Sequence, residues 1–460
     1  MLMFSEYPYV LALKECYLSS RCSSCFKKSS IKCSSCNRIV YCNEECRLND
    51  SVCHEIECEM YRQGCEEDEY LILRMIIRVI IRLSIDGGQP KEDLCENVPE
   101  TIVRRCWSDL LGHRDEIIHS ERHFQQWIQT KKQFQRLFPD RFQRIDLLEI
   151  FGKLLINRFR VGIFENLFEG RIAVGWAIYL TTSIFNHSCQ PDLLQCSFDI
   201  VMRLKFANDQ QCFPTTNQQF NQLTVSYRHQ NDFRLTDSLT YLSTRKQRRQ
   251  FVNFFFFNCH CSFCNDDLRN RYLEALTNRT CQTCGDFLVL QKSYEKTDEF
   301  HLICLGRRKC LQTGFIIQTI KLSFIEQIDQ YTIDICEQKL DELEQILHPK
   351  SILLLQQKEK IFFAYQKLIQ SNHFNNQQSS TLIQRAIQIG QFLLQAYDLH
   401  IQDSSIYPKI FLTDLAQLYE TIQQTNNATI LYQKAFQLWT NDYKHFLDYR
   451  QFLQKLSIKQ

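Results

Sequence analysis

Amide, imidazole, hydroxyl and thiol groups crowd into one bend of this sequence: Ser183-Ile184-Phe185-Asn186-His187-Ser188-Cys189-Gln190-Pro191. An apolar run, Val174 to Leu180, leads into it. Pro191 stops any helix and stiffens the bend. Alone, such a bend could be a polar turn. Two distant stretches give it chemical company. Thr224-Val225-Ser226-Tyr227 ends a strand-like run in a phenol. Phe256-Phe257-Asn258-Cys259-His260-Cys261-Ser262-Phe263-Cys264 offers three thiols with no fourth ligand nearby. A closed structural zinc site takes four ligands, and Cys189 is the candidate for the missing one.

The densest ligand spacing lies near the N-terminus. Cys22-x2-Cys25, Cys33-x2-Cys36, Cys42-x3-Cys46 and His54-x3-Cys58 are four pairs, enough for two tetrahedral zinc ions. A CxxC turn points two thiolates at one ion. The wider pairs are i, i+4, which predicts that each lies on one face of a helical turn. A segment this small and polar has little core, so the metal supplies its folding energy. A further set, Cys281-x2-Cys284-Gly285 with Cys304-x5-Cys310, has the spacing of a zinc ribbon. Lys27, Lys28 and Lys32 form a small basic edge, read as an ordinary solvated face.

These groups need elements to hold them. A chain of 460 residues is too long for one core, so two to four modules are expected. The net charge of +2 argues against a general nucleic-acid binder. The cysteines fall in metal-type pairs beside a histidine, which fits a reducing compartment, cytoplasm and nucleus, rather than a disulfide framework. No signal-peptide core is evident at the N-terminus. Glu69 to Leu83 is apolar but carries Arg74, Arg78 and Arg82, and is shorter than the roughly 20 residues of a membrane span. It is expected to be an amphipathic helix with one basic stripe. Leu2 to Leu13 reads as a short strand, Tyr7-Pro8-Tyr9-Val10, leading into the first ligand pairs. Glu121 to Phe138 and Asp146 to Leu155 read as helices. From Asn157 to Tyr227 short strands alternate with polar turns, including Asp199 to Phe206 and Leu223 to Tyr227. From Gln318 onward the chain reads as consecutive helices. Leu415, Ala416, Tyr419, Ala428, Tyr432 and Ala435 have the spacing of a TPR helix hairpin.

Together these motifs resemble the SET-and-MYND-domain lysine methyltransferases, and the stretch from Cys281 on is most similar to their TPR-bearing branch. The resemblance rests on the four N-terminal ligand pairs with Val40-Tyr41-Cys42 and Glu45-Cys46, on Asn186-His187-Ser188-Cys189-x-Pro191, on the strand ending in Ser226-Tyr227, and on Cys259-x-Cys261-x2-Cys264. It implies an α+β multidomain protein. The layout would be a remnant SET strand at 1–21, a zinc-bound MYND finger at 22–58, a helical insert at 59–156, a β-rich SET core at 157–257, a post-SET and zinc-ribbon-like segment at 258–315, and a TPR-like helical domain at 316–460. It also implies that the finger's pairs interleave, with Cys22, Cys25, Cys42 and Cys46 on one zinc and Cys33, Cys36, His54 and Cys58 on the other. Cys53 would be an extra thiol outside both sets. The family's usual Trp three residues before the His is Ser51 here. Its Gly-rich turn for the methionine end of the cofactor, expected before Leu2, is not in this sequence, which leaves an incomplete chain or a weakened cofactor site. Asp192 follows Pro191 where the family has Asn.

The function implied is S-adenosyl-L-methionine-dependent protein-lysine N-methyl transfer, with three Zn2+ ions and a fourth at Cys281, Cys284, Cys304 and Cys310. Ser183, Asn186, His187, Tyr227 and Phe257 would contact the cofactor, His113 falls at a further cofactor-contacting position, and Tyr227 would be catalytic. Methyl transfer to an amine needs little more than alignment, a neutral lysine and an orienting phenol. The partners would be a protein substrate with its target lysine, plus Pro-rich peptides or other proteins on the MYND and TPR-like parts; no membrane or nucleic acid is expected. The alternative is a non-catalytic adaptor with a degenerate SET domain.

Overall fold

In a computed structural model, the described residues are 2–62, 70–89, 95–96, 104–164, 171–189, 191–195, 199–206, 217–225, 244–266, 270, 276–292, 299–304, 316–321, 333–370, 376–400 and 406–443. They divide into two compact units, the first drawn from residues up to 164, 171–225 and 252–258, the second from 244–251 and from 259 on.

The first unit opens with strands β1 (Leu2–Glu6) and β2 (Val10–Leu13). The strand expected at Tyr7-Pro8-Tyr9-Val10 is instead mostly the break between two strands, because Pro8 has no N–H to give a ladder. The two strands enter different sheets. Short strands β3 (Ile31–Lys32) and β4 (Val40–Tyr41) pair within the cysteine-rich segment, followed by helices α1 (Glu44–Arg62) and α2 (Tyr70–Asp86). Then come β5 (Cys95–Glu96), α3 (Arg114–His119), α4 (Glu121–Leu137), α5 (Leu147–Asn157), β6 (Arg158–Phe164) and β7 (Arg171–Ile178). The bend and its partners follow as β8 (Asn186–His187), β9 (Leu193–Gln195), β10 (Met202–Phe206) and β11 (Thr224–Val225). One sheet has the order β5-β1-β10-β9, a second β2-β7-β6, and β8 pairs with β11 in parallel.

The basic stripe of α2 does not face water. Arg74 and Arg78 are buried along with Leu73, Met75, Ile76, Ile77, Val79, Ile80 and Ile81, so the helix is enclosed almost all round. The reason lies on α1, whose Asp50 and Glu57 meet the guanidinium groups. Arg78 Nε donates to Glu57 Oε1 at 2.6 Å and its Nη1 to Asp50 Oδ1 at 2.8 Å. Arg74 Nη1 donates to the Leu13 carbonyl at 2.5 Å, which ties the same network to β2. Buried charges persist only when paired and hydrogen-bonded, as these are.

The second unit holds an antiparallel four-stranded sheet of β12 (Leu276–Thr280), β13 (Phe287–Lys292), β14 (Glu299–Cys304) and β15 (Ile316–Lys321). The stretch from Gln318, read as helical, therefore begins as strand; its β-branched run Ile316-Ile317-Gln318-Thr319-Ile320 suits a pleated surface. Five helices follow, Ile333–Ile346, Ile352–Gln370, Asn376–His400, Ile406–Thr421 and Thr425–Tyr443. Leu415, Ala416, Tyr419, Ala428, Tyr432 and Ala435 are all buried, so the small and aromatic residues face inward along the last two helices. No helix among the described residues is long and apolar enough to cross a membrane.

Candidate metal centres and cofactor bend

Three CxxC turns share one local geometry. Phe26 N donates to Cys22 O at 2.9 Å, Asn37 N to Cys33 O at 3.0 Å, and Gly285 N to Cys281 O at 2.8 Å. The residue closing each turn is left-handed, with φ of 64°, 54° and 76° for Phe26, Asn37 and Gly285. Gly and Asn adopt this readily, whereas Phe does so only under constraint. Phe26 is constrained because its ring is buried over Gly175, where a Cβ would collide with it.

The finger's ligand atoms gather in two interleaved sets: Cys22, Cys25, Cys42 and Cys46, then Cys33, Cys36, His54 and Cys58, each within 4.8 Å. His54 and Cys58 lie on one face of α1, one turn apart. Cys42 instead precedes that helix. Asn43 caps it, accepting from Cys46 N at 2.8 Å, so Cys42 and Cys46 straddle a helix start. The difference from a shared helical face is useful, since N-terminal N–H groups favour thiolate. The Cys25 thiol and nearby backbone N–H groups pull the Cys22 thiol down to about 5. Burial lowers the His54 imidazole, which keeps it neutral and able to bind metal. All eight donors are sulfur or imidazole nitrogen, the set that suits zinc. Cys53 joins neither group; burial raises its thiol to about 11.

In the second unit, the thiols of Cys259, Cys261 and Cys264 lie within 4.8 Å of one another, as do those of Cys281, Cys284 and Cys304. Backbone N–H groups of Cys284 and Thr283 draw Cys281 down to about 6. Cys310 lies outside the described residues.

The bend is built from both ends of the first unit. A single turn at Thr182–Ile184 opens it. Fully buried Glu6, from β1, accepts from Thr181 N and Thr182 N at 2.8 Å and from Thr182 Oγ1 at 2.7 Å. Burial raises its carboxyl to about 7 against the pull of those bonds. Ser183 Oγ donates to Tyr179 O at 2.6 Å. Beyond the turn, Asn186 and His187 pair in parallel with Thr224 and Val225, and Ser188 N donates to Val225 O at 3.0 Å. Asp192 fastens the same two segments: its Oδ2 accepts from Thr224 N at 3.0 Å and Thr224 Oγ1 at 2.7 Å. Asn186 is exposed, and His187 is half-buried with its ring 5.9 Å from that of Phe257 and its Nε2 3.4 Å from Cys189 Sγ. Tyr227, two residues past Val225, lies outside the described residues.

His113 is left-handed, with its ring 5.5 Å from Phe256, itself left-handed and 4.7 Å from His123. Sequence reasoning missed Glu6, His123 and Phe256. Nothing local marks Glu6, whose partners are 175 and 176 residues away. The Asn-to-Asp difference at Asp192 was a signal for its clamp on Thr224.

No family model matches the chain. Curated relatives do. It is 27% identical over 299 residues to SET domain-containing protein 14 of Caenorhabditis elegans, covering 61% of this chain and 62% of the relative. It is 24% identical over 318 residues to the histone-lysine N-methyltransferase ASHR1 of Arabidopsis thaliana, covering 67% of this chain and 59% of the relative. It is 28% identical over 199 residues to the N-lysine methyltransferase SMYD2-B of Danio rerio, covering 42% of each. The matches thus span about three fifths or less of those relatives' lengths. The interleaved finger ligands and the parallel pairing at the bend thus stand beside relatives that are SET-domain proteins and SMYD-type lysine methyltransferases, the proteins this chain is similar to.

Proposed function

We propose that the chain is an S-adenosyl-L-methionine-dependent protein-lysine N-methyltransferase with structural zinc. The observation that carries this reading is the parallel pairing of Asn186–His187 with Thr224–Val225. It sets a strand of polar groups beside the segment that ends, two residues on, in Tyr227. An exposed amide, a half-buried imidazole and the Phe257 ring suit a ligand with polar ends and a flat purine. Ser183, Asn186, His187 and Phe257 would hold the cofactor, which supplies an electrophilic methyl on a sulfonium when bound. Asn186 and the backbone at His187 would bind its adenine and amino-acid ends, and Phe257 would pack on the purine. Tyr227 orients the substrate amine and adds no full charge. Lysine is protonated in water up to a pKa of about 10.4, so the site must also desolvate the amine and let its proton leave.

By the sequence argument Cys189 would supply the fourth ligand to Cys259, Cys261 and Cys264, and a zinc held there would brace the cofactor wall. By the sequence spacing, Cys310 would complete the set of Cys281, Cys284 and Cys304. The finger and the paired C-terminal helices, TPR-like in their buried Ala and Tyr spacing, dock protein partners, Pro-rich peptides among them. Free thiols in metal sets suit the cytoplasm and nucleus.

Calorimetry and labelled-methyl transfer test the reading together. Wild-type chain should bind the cofactor, and Asn186→Ala should not. Tyr227→Phe should keep binding and lose transfer. Absence of cofactor heat with near-millimolar ligand on wild-type, zinc-loaded chain would instead favour the adaptor. Metal analysis should return four zinc ions per chain.

A further inference from the structure

Away from the bend, the first unit has a cleft of about 240 Å³ between α2, α4 and the β6–β7 pair. Its walls mix apolar Leu71 and Met75 with the amides Gln126 and Gln133, and its floor is Trp176 with Arg158. The Arg158 guanidinium stacks 4.4 Å from the Trp176 ring centroid. Arg160, two residues along the same face of β6, lies 5.3 Å from the same ring and directly opposite Trp176 in register. Two cations therefore share one indole. Among the described residues, Arg158 has no ion-pair or hydrogen-bond partner, and no carboxylate lines the cleft. Burial, and next the charge of Arg160, lower the Arg158 guanidinium to about 10, so it is still cationic at neutral pH.

This is an unusual place for a charge. Arg158 is half-buried, whereas the fully buried guanidinium groups of Arg74 and Arg78 meet carboxylates. A guanidinium stacked by its face leaves its in-plane N–H groups to donate, a fork that matches a carboxylate. The amides beside it can donate without adding charge. The volume is below that of a pocket for a drug-sized ligand, and one uncompensated cation suits a monoanionic head better than a phosphate dianion.

We propose that this cleft binds a carboxylate, either a short organic acid or the side chain of a glutamate presented by a protein, with Arg158 as its fork and Trp176 as its floor. The site is separate from methyl transfer and stands whether or not the chain has that activity.

The test titrates the full, zinc-loaded chain with glutarate, with a blocked glutamate-containing peptide and with inorganic phosphate, followed by tryptophan fluorescence. Trp176→Phe identifies the responding ring. Glutarate or the peptide should give saturable binding, and the tighter of the two names the source. Arg158→Gln should weaken it by about tenfold or more, and Arg158→Lys, which keeps the charge and loses the fork, should weaken it measurably. Arg160→Gln should leave binding largely intact, because that cation sits over the ring rather than on the cleft wall. Unchanged metal content and melting temperature certify the fold of each variant. The proposal fails if neither carboxylate binds wild-type chain, if phosphate binds as well as they do, if folded Arg158→Gln keeps wild-type affinity, or if Arg160→Gln loses as much.

Discussion

Among the described residues of the first unit two glutamates are fully buried, and their surroundings could hardly differ more. Glu57 anchors the finger's helix to α2, facing Arg74 and Arg78. Glu6 anchors the turn at Thr182–Ile184 that opens the bend and faces only neutral donors. Burial works to raise both carboxyls. At Glu57 the two guanidinium charges win and take it down to about 2. At Glu6 three hydrogen bonds do not win, and it rises to about 7. The finger is thus fixed to the core by charge that persists across ordinary pH, and the bend by a group that titrates near neutrality. Neutral hydrogen bonds orient a carboxylate, but opposite charges are needed to keep it ionised in a desolvated site.

The largest effect should come from the finger's metal. A chelator, or Cys58→Ala with His54→Ala, removes ligands from α1, the helix that also carries Asp50 and Glu57. Structural zinc contributes on the order of 10 kcal/mol in small finger modules. Loss should therefore unfold α1 and leave Arg74 and Arg78 buried without partners. Circular dichroism should report lost helix beyond the finger itself; loss confined to residues of the finger would show that the charge network does not couple the two.

Arg78→Met comes next. It leaves Glu57 and Asp50 buried with most of their compensation gone, an error that costs about 3–5 kcal/mol. Pairing it with Glu57→Gln and Asp50→Asn should recover much of that loss, because the uncompensated charges are removed. A thermal-unfolding cycle checks this. If the triple variant were as unstable as Arg78→Met alone, packing of the side chain rather than its charge would hold the finger.

These two predictions also mark what could be read in advance. The finger's ligands were legible because each pair is local and its spacing encodes geometry. The interleaving of the pairs came from resemblance, and the gathered donor atoms match it. What holds the finger was not legible. The arginines of α2 recur every four residues, and their period alone looks the same for a solvated stripe and for a buried one. The deciding fact was the position of Asp50 and Glu57 on a neighbouring helix, which is a tertiary fact. The six residues read from their spacing in the last two helices are all buried. The strand at β15 was missed because a short β-branched run beside helices carries no period of its own.

The pH dependence separates the two anchors by sign. An unfolded glutamate titrates near 4.5, while folded Glu6 titrates near 7. Between those values the folded chain holds a proton that the unfolded chain has released. Its contribution is therefore fully present below 4.5 and is lost as pH rises to 7, a change of about 3 kcal/mol. Folded Glu57 has the opposite displacement, so its contribution is present above 4.5 and is lost as pH falls toward 2. The stability difference between wild type and Glu6→Gln should shrink from pH 5 to pH 7, whereas that between wild type and Glu57→Gln should stay flat over the same range. Parallel denaturant titrations measure both. Matching slopes would erase the contrast between the anchors.

The smallest effect should come from Asp192, and it sharpens what the bend requires. Its carboxylate accepts both the N–H and the hydroxyl of Thr224, closing the parallel pair of β8 and β11 one residue past Pro191. Both bonds end on one oxygen, so the family's Asn could accept both through its carbonyl, but as neutral bonds weaker than those to a carboxylate. Asp192→Asn should therefore cost about 1 kcal/mol, and Asp192→Ala, which leaves the Thr224 N–H without its acceptor, about 2 kcal/mol. The more telling readout is cofactor affinity by calorimetry. If Asp192 only braces the fold, the two variants lose stability and keep affinity. If it sets the spacing of Asn186 against the Tyr227 segment, affinity falls in both, and more in Asp192→Ala. The second outcome is expected, because the two residues that Asp192 joins lie on the same short strand pair that carries the polar groups of the bend.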